Sequence, residues 1–298
     1  MSHVPARGFL SMTLALIGVV LIAACGDDDA GESAAKPKVE RQTLAIEVTE
    51  QTADKFAMTA PKSVAAGIVE ISLKAPAGKE SHDAQLVRVE GDHSLEEVLK
   101  FIGAEGAPTP EWLFAAGGVG QTAGGAIGKS TQELTPGTYY IVDTSEPQGE
   151  NVKSYAERGA TAALEVTGEA AGGELPAATA KITMKDYSYV TSGLKAGKNT
   201  VELDNPGKEI HHVIAFPYAP GADFAAVKKA FSQEGEPKGP PPVDFQNVTG
   251  TAALESGTKQ ITELQLKRGK YALICFISDR KGGPPHIAKG MIAEAVIE

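Results

Sequence analysis

The chain has 298 residues, 28 basic and 38 acidic side chains and a formal net charge of −10. An acidic surface disfavours nucleic acid and anionic lipid headgroups as partners. Outside residues 9–24 no stretch is apolar enough to span a membrane, and the only cysteines are Cys25 and Cys275.

Arg7 sits in a short polar start, and Phe9 to Ala24 is apolar except for Ser11 and Thr13. A membrane span needs about 20 apolar residues, so this run has the length of a signal-peptide core. It ends in Ile22-Ala23-Ala24-Cys25, which resembles the bacterial lipobox. That resemblance implies cleavage after residue 24 and a diacylglycerol on the Cys25 thiol. The lipid would be the membrane attachment, with the remainder of the chain extracytoplasmic, in the cell envelope. Residues 25–43 carry no apolar periodicity and are expected to be a solvated tether. With Cys25 lipidated, Cys275 has no partner within the chain: it is either a buried small hydrophobe, or a metal ligand or reactive thiol.

The rest of the sequence runs twice, over 44–167 and 179–298, with the Gly/Ala/Glu-rich stretch 168–178 as linker. Each copy opens on an alternating strand, Leu44 to Thr49 and Lys181 to Lys185. A turn-rich stretch and a second strand follow, then a third strand leading into a helix. Ser94 and Glu97 form a capping-box pattern for the first helix, and Asp223 is placed to cap the second. Trp112 and the glycines from Gly117 to Gly128 predict a long surface loop. Late in each copy a Gly-x-Tyr, at Gly137-Thr138-Tyr139 and Gly269-Lys270-Tyr271, begins a hairpin strand. Closing strands run from Thr161 to Val166 and from Ile292 to Ile297. The pattern predicts an all-β protein of two tandem sandwiches, each with one short inserted helix.

The second copy carries the chemistry: His211-His212, Cys275, His286 and Met291. A thiolate, imidazoles and a thioether are the soft donors that favour copper, whereas zinc prefers a fourth strong ligand. In GKEIHHVIAF and GKYALICFISDRKGGPPHIAKGMIAEAVIE, spanning the copy from Thr179 to Glu298, the chain resembles the cupredoxins, the blue copper proteins of the plastocyanin, azurin and rusticyanin kind. The resemblance implies Greek-key sandwiches and one copper ion held by His211, Cys275, His286 and axial Met291. His212 is the alternative to His211. It also implies one-electron transfer with a redox partner protein, or copper handling. One departure stands out. Ten residues separate Cys275 from His286, where familiar members have only a few. Lengthening a loop costs about 0.6 kcal/mol per doubling, but it loosens a ligand loop. Parity puts Tyr271, Leu273 and Cys275 on one strand face and Ala272, Ile274 and Phe276 on the other, both apolar. The alternative is therefore a metal-free binding or scaffold lipoprotein that keeps the fold alone.

Aligning the repeated glycines sets Asp143 opposite Cys275, Tyr155 opposite His286 and Ala160 opposite Met291; only His82, opposite His211, keeps its type. The first copy is thus expected to lack the copper ligands, and Glu80, His82, Asp83, Asp92 and His93 to form a solvated polar edge. Residues 123–130, AGGAIGKS, lack the first glycine of a phosphate loop, so no nucleotide is expected. Six histidines, one in the leader, are too few for a trinuclear oxidase cluster, and no serine or cysteine nucleophile has a recognisable motif. The sequence reading is therefore of a protein that is not an enzyme.

Overall fold

The computed structural model describes residues 41–298 apart from 79, 103, 105, 148–151, 171 and 233–238. Cys25, the leader and nearly all of the tether lie outside the described residues. In the first half run β1 (Gln42–Thr52), β2 (Lys55–Thr59), β3 (Ser63–Ala65), β4 (Gly67–Lys74), β5 (Ser81–Val89), α1 (Leu95–Leu99), β6 (Leu113–Ala123), β7 (Ile127–Leu134), β8 (Gly137–Val142) and β9 (Thr161–Thr167). In the second run β10 (Ala180–Lys185), β11 (Ser188–Ser192), β12 (Gly197–Asp204), β13 (Ile214–Pro217), α2 (Phe224–Ser232), β14 (Thr249–Gly250), β15 (Lys259–Leu266), β16 (Gly269–Ile274) and β17 (Ile292–Ile297). The class is all-β, with one short α-helix in each half among the described residues.

Period-two burial explains the sandwiches. In β1 the side chains of Leu44, Ile46 and Val48 turn inward, and in β10 those of Ala180, Ile182 and Met184 do so. Their partners also match: β1 pairs parallel with β4, and β10 pairs parallel with β12. Strands β8, β5 and β9 cover the first core, in which Ile71, Leu73, Leu86 and Ile141 are fully buried. Strands β13, β16 and β17 cover the second, around Val201, Leu203, Leu273, Cys275 and Met291. Burying each such aliphatic side chain contributes about 1.5–3 kcal/mol. The opposite face of β16 carries Ala272 and Ile274, which pack with Val227 of α2. The parity read from the sequence therefore holds, with a core on each side of the strand. The Ser94–Glu97 capping box is present, and Asp223 accepts from the Ala226 amide at 2.8 Å.

One sheet runs through both halves, in the order β11-β10-β12-β15-β7-β4-β1-β2. The join is the antiparallel pair of β15 and β7, with Gln260 opposite Gln132. Glutamines seal it: Gln260 Nε2 donates to Gln132 Oε1 at 2.5 Å, and Gly118 N donates to the same oxygen at 2.9 Å. Gln85 grips the second half through both ends of its amide, accepting from Ala253 N at 2.7 Å and donating to Ala253 O at 3.2 Å.

The glycine-rich stretch 117–128 is where the structure departs from the sequence reading. It is no surface loop but the strands β6 and β7, which enter different sheets, and the turn between them, much of it buried. Its glycines serve close backbone approach. Gly118 has φ +125° and a Cβ there would run into the Ala84 carbonyl, while a Cβ at Gly120 would run into the Gly250 carbonyl of the second half.

Candidate metal centre

His211 lies just before β13, fixed by reciprocal backbone bonds with Leu254, N to O at 3.1 Å and O to N at 2.8 Å. Cys275 follows directly on β16. His286 heads a short 3-10 turn, His286–Lys289, which Gly290 closes in the left-handed region at φ +97°. Met291 then donates its amide to His286 O at 2.9 Å, and Cys275 donates to Met291 O at 3.4 Å. Backbone bonds thus knit three of the four expected donors together before any side chain is considered.

The side chains of His211, Cys275 and His286 converge, all fully buried. Cys275 Sγ lies 3.4 Å from His286 Nδ1 and 3.9 Å from His211 Nδ1, and the two Nδ1 atoms are 3.0 Å apart. Metal bonds of about 2.0–2.3 Å to nitrogen and sulfur set donors roughly 3.3–3.8 Å apart; the observed 3.0, 3.4 and 3.9 Å straddle that range, so small side-chain shifts would let all three reach one ion. Met291 is fully buried in the cluster that holds Cys275. His212 turns elsewhere: its Nε2 accepts the Phe276 amide at 3.0 Å. Between the two adjacent histidines, the structure puts His211 in the cluster.

Two carboxylates that the sequence reading passed over orient the rings. His211 Nε2 faces Asp186 Oδ1 at 3.1 Å, and His286 Nε2 faces Asp279 Oδ1 at 3.1 Å. A carboxylate partner calls for the proton on Nε2 and leaves a lone pair on Nδ1. Both lone pairs then point at one place, beside a sulfur. Burial holds both imidazoles neutral: it pushes His286 down to about 4, with repulsion from His211 adding and Asp279 opposing, and it lowers His211 against the pull of Asp186. Two buried lone pairs at 3.0 Å call for a cation between them. Burial also pushes the Cys275 thiol up to about 11, so metal binding would release its proton. Asp279 is itself held: Tyr187 donates to its Oδ1 at 3.0 Å and Lys289 binds its Oδ2. Although burial raises its pKa, Lys289, Tyr187 and His286 outweigh this and keep it below the usual carboxylate range.

The first half repeats this backbone frame with other side chains. Asp143 N donates to Ala160 O at 3.1 Å, and Ala160 N to Tyr155 O at 2.9 Å, as Cys275, Met291 and His286 do in the second. His82 Nδ1 meets Asp143 Oδ2 at 2.6 Å, and its ring lies 4.3 Å from that of Tyr155. The glycine-based alignment of the copies is thus matched in space. His82 and Asp83 are buried rather than part of a solvated edge, because they supply the hydrogen bonds that fill this position. Asp83 accepts from Thr144 N, Thr144 Oγ1 and Ser145 Oγ.

No family model and no curated protein matches the chain. Among solved structures it is similar to a reduced auracyanin from Roseiflexus castenholzii, at 21% identity over 40% of this chain and 94% of that one, TM-score 0.26. It is also similar to a copper nitrite reductase from Nitrosomonas europaea, at 14% identity over 87% and 94%, TM-score 0.27. A third is a laccase from Botrytis aclada, at 10% identity over 87% and 52%, TM-score 0.21. Scores of this size carry no argument about the site, whose description rests on its own geometry. They do correct one expectation. The reading of the chain as not an enzyme does not stand, because the nitrite reductase and the laccase among these structures are enzymes.

Proposed function

We propose that this chain is a cupredoxin-like copper protein of two tandem domains, 44–167 and 179–298, with its copper held in the second. His211, Cys275 and His286 would hold the ion, and Met291, buried beside Cys275, would offer a thioether as a further donor. The observation that carries this reading is the convergence of two carboxylate-oriented imidazole lone pairs on a buried thiol, within 4.8 Å of one another. Bound copper would supply one-electron exchange at this point. The protein's part is to hold both rings in one tautomer, to keep water out and to fix the donor spacing before the ion arrives. Electron transfer with a redox partner protein, or copper handling, follows from such a site. Tethering through a lipid on Cys25 would place that function in the cell envelope. Among the described residues no helix is long and apolar enough to cross a membrane.

Copper(II) titrated into the purified full-length protein is expected to raise an intense visible thiolate-to-copper band that saturates at one equivalent. Cys275→Ser should remove the band. If Cys275→Ser binds copper with unchanged stoichiometry and spectrum, the assignment of the thiolate is wrong.

A further inference from the structure

The ten residues between Cys275 and His286 do not hang free. Ser278 bridges Pro285, and Gly282 N donates to Asp279 O at 2.7 Å, so the insertion folds as its own hairpin. Its tip is seated on the first half. Arg280 Nη1 donates to Pro110 O at 3.2 Å and Nη2 to Leu113 O at 3.0 Å, while Nη2 meets Glu255 Oε2 at 2.5 Å. Its guanidinium carbon stands 5.4 Å from the centre of the Phe114 ring. The backbones join as well: Thr109 N donates to Arg280 O at 2.8 Å and Gly283 N to Gly106 O at 3.1 Å. Gly282 comes so near Gly106 that a Cβ would stand 2.7 Å from the Gly106 carbonyl oxygen. On the second half's own side, Arg280 N donates to Glu209 Oε2 at 2.7 Å.

The residue before Arg280 is Asp279, whose carboxylate orients His286. Two neighbours in the chain therefore point two ways, one at a donor of the metal site and one into the first half. We propose that the first half, which lacks the donor set, is the mount of the metal centre, and that Arg280 is the positioning residue through which it fixes Asp279 and His286. This rests on the copper reading above. It gives the long insertion a physical role. A short ligand loop is rigid by itself, whereas this long one takes its rigidity from hydrogen bonds to groups outside it. A guanidinium suits the task because its planar fork can serve two carbonyls and a carboxylate at once.

The test uses the full-length protein with one equivalent of copper(II), as wild type, Arg280→Lys, Arg280→Ala and Glu255→Gln. Its readouts are the visible and electron paramagnetic resonance spectra, the rate at which excess chelator extracts copper, and the Tm of each copper-free form. Removing groups that orient metal ligands costs roughly 10- to 100-fold in affinity. Arg280→Ala, acting one residue further out, should shift the band and speed extraction by about tenfold, the lower end of that range. Arg280→Lys should fall between Arg280→Ala and wild type, and Glu255→Gln should shift the spectrum in the same direction. A residue that merely stabilised the fold would lower Tm and leave the spectrum of the folded fraction unchanged. That result in Arg280→Ala overturns the proposal, as does an unchanged spectrum in Glu255→Gln if Arg280→Ala does not fold. A wild type without a thiolate band would sink the copper reading and this inference together. A wild-type band that survives intact in Arg280→Ala sinks this inference alone.

Discussion

Asp279→Asn isolates what the carboxylate behind His286 contributes. The substituted side chain keeps the shape, and its oxygen can still accept from His286 Nε2 and from Tyr187 OH, now at 3.1 and 3.0 Å. Its amide nitrogen, however, would replace Oδ2 and face Lys289, donor against donor. A hydrogen bond to a charged group is worth about 1.5–3 kcal/mol against about 0.5–1.5 for a neutral one, so neutralising the acceptor weakens the His286 bond by roughly 1 kcal/mol. The lost Lys289 pair adds little to this, because both partners are partly exposed, at 26% and 21%. Copper affinity should therefore fall by about tenfold, and by no more than about 100-fold, the range found when partners behind a ligand are removed. Competition against a chelator of known copper affinity measures it. An affinity within about twofold of wild type, together with a lowered Tm, would show that Asp279 supports the loop and not the metal.

Acid–base behaviour should divide the two halves. Burial first, and then the charge of Asp143, raises Asp83 from 3.8 to about 7, against the hydrogen bonds from Thr144 and Ser145. A carboxyl raised on folding contributes stability that is whole below 3.8 and lost as pH rises through about 7, of order a few kcal/mol. The copper-free protein should accordingly melt at lower temperature at pH 8 than at pH 6, and Asp83→Asn should flatten that slope; a slope untouched by the substitution refutes the assignment. In the first half, Asp143→Cys with Tyr155→His and Ala160→Met should rebuild the donor set opposite His82. The triple variant is expected to take up a second equivalent of copper, and a stoichiometry still at one would show that the matched backbone frames are insufficient.

Local chemistry made part of this molecule readable in advance. Alternation located the opening and closing strands, because period-two burial is written into residues such as Leu44, Ile46 and Val48. The capping pair Ser94 and Glu97 and the glycine that begins β8 and β16 are also local devices. His211, Cys275, His286 and Met291 could be named because their donor types are rare together. Other features left no local mark. The pairing of β7 with β15 joins residues about 130 apart in the chain, and long-range pairing has no periodicity of its own. Glycine is ambiguous by nature, serving loops and close approach alike, so Gly117 to Gly128 looked like a loop. Asp186 and Asp279 read as ordinary solvated acids, since nothing in DYSY or SDRK shows which ring each will face. His82 and Asp83 read as a polar edge for the same reason.

The continuous sheet also bears on any attempt to cut the protein in two. Division within residues 168–178 would strip β15 from β7 and leave each half with a bared edge strand. An unpaired edge with its amides and carbonyls exposed is a template for association with other chains. The seam glutamines would lose their partners, and the glycines of β6 would leave a groove where the 250–253 segment had lain. Separated halves should self-associate unless the new edges are blocked with lysine or proline. The seam that unites the repeats therefore also covers two strand edges that division would open to association.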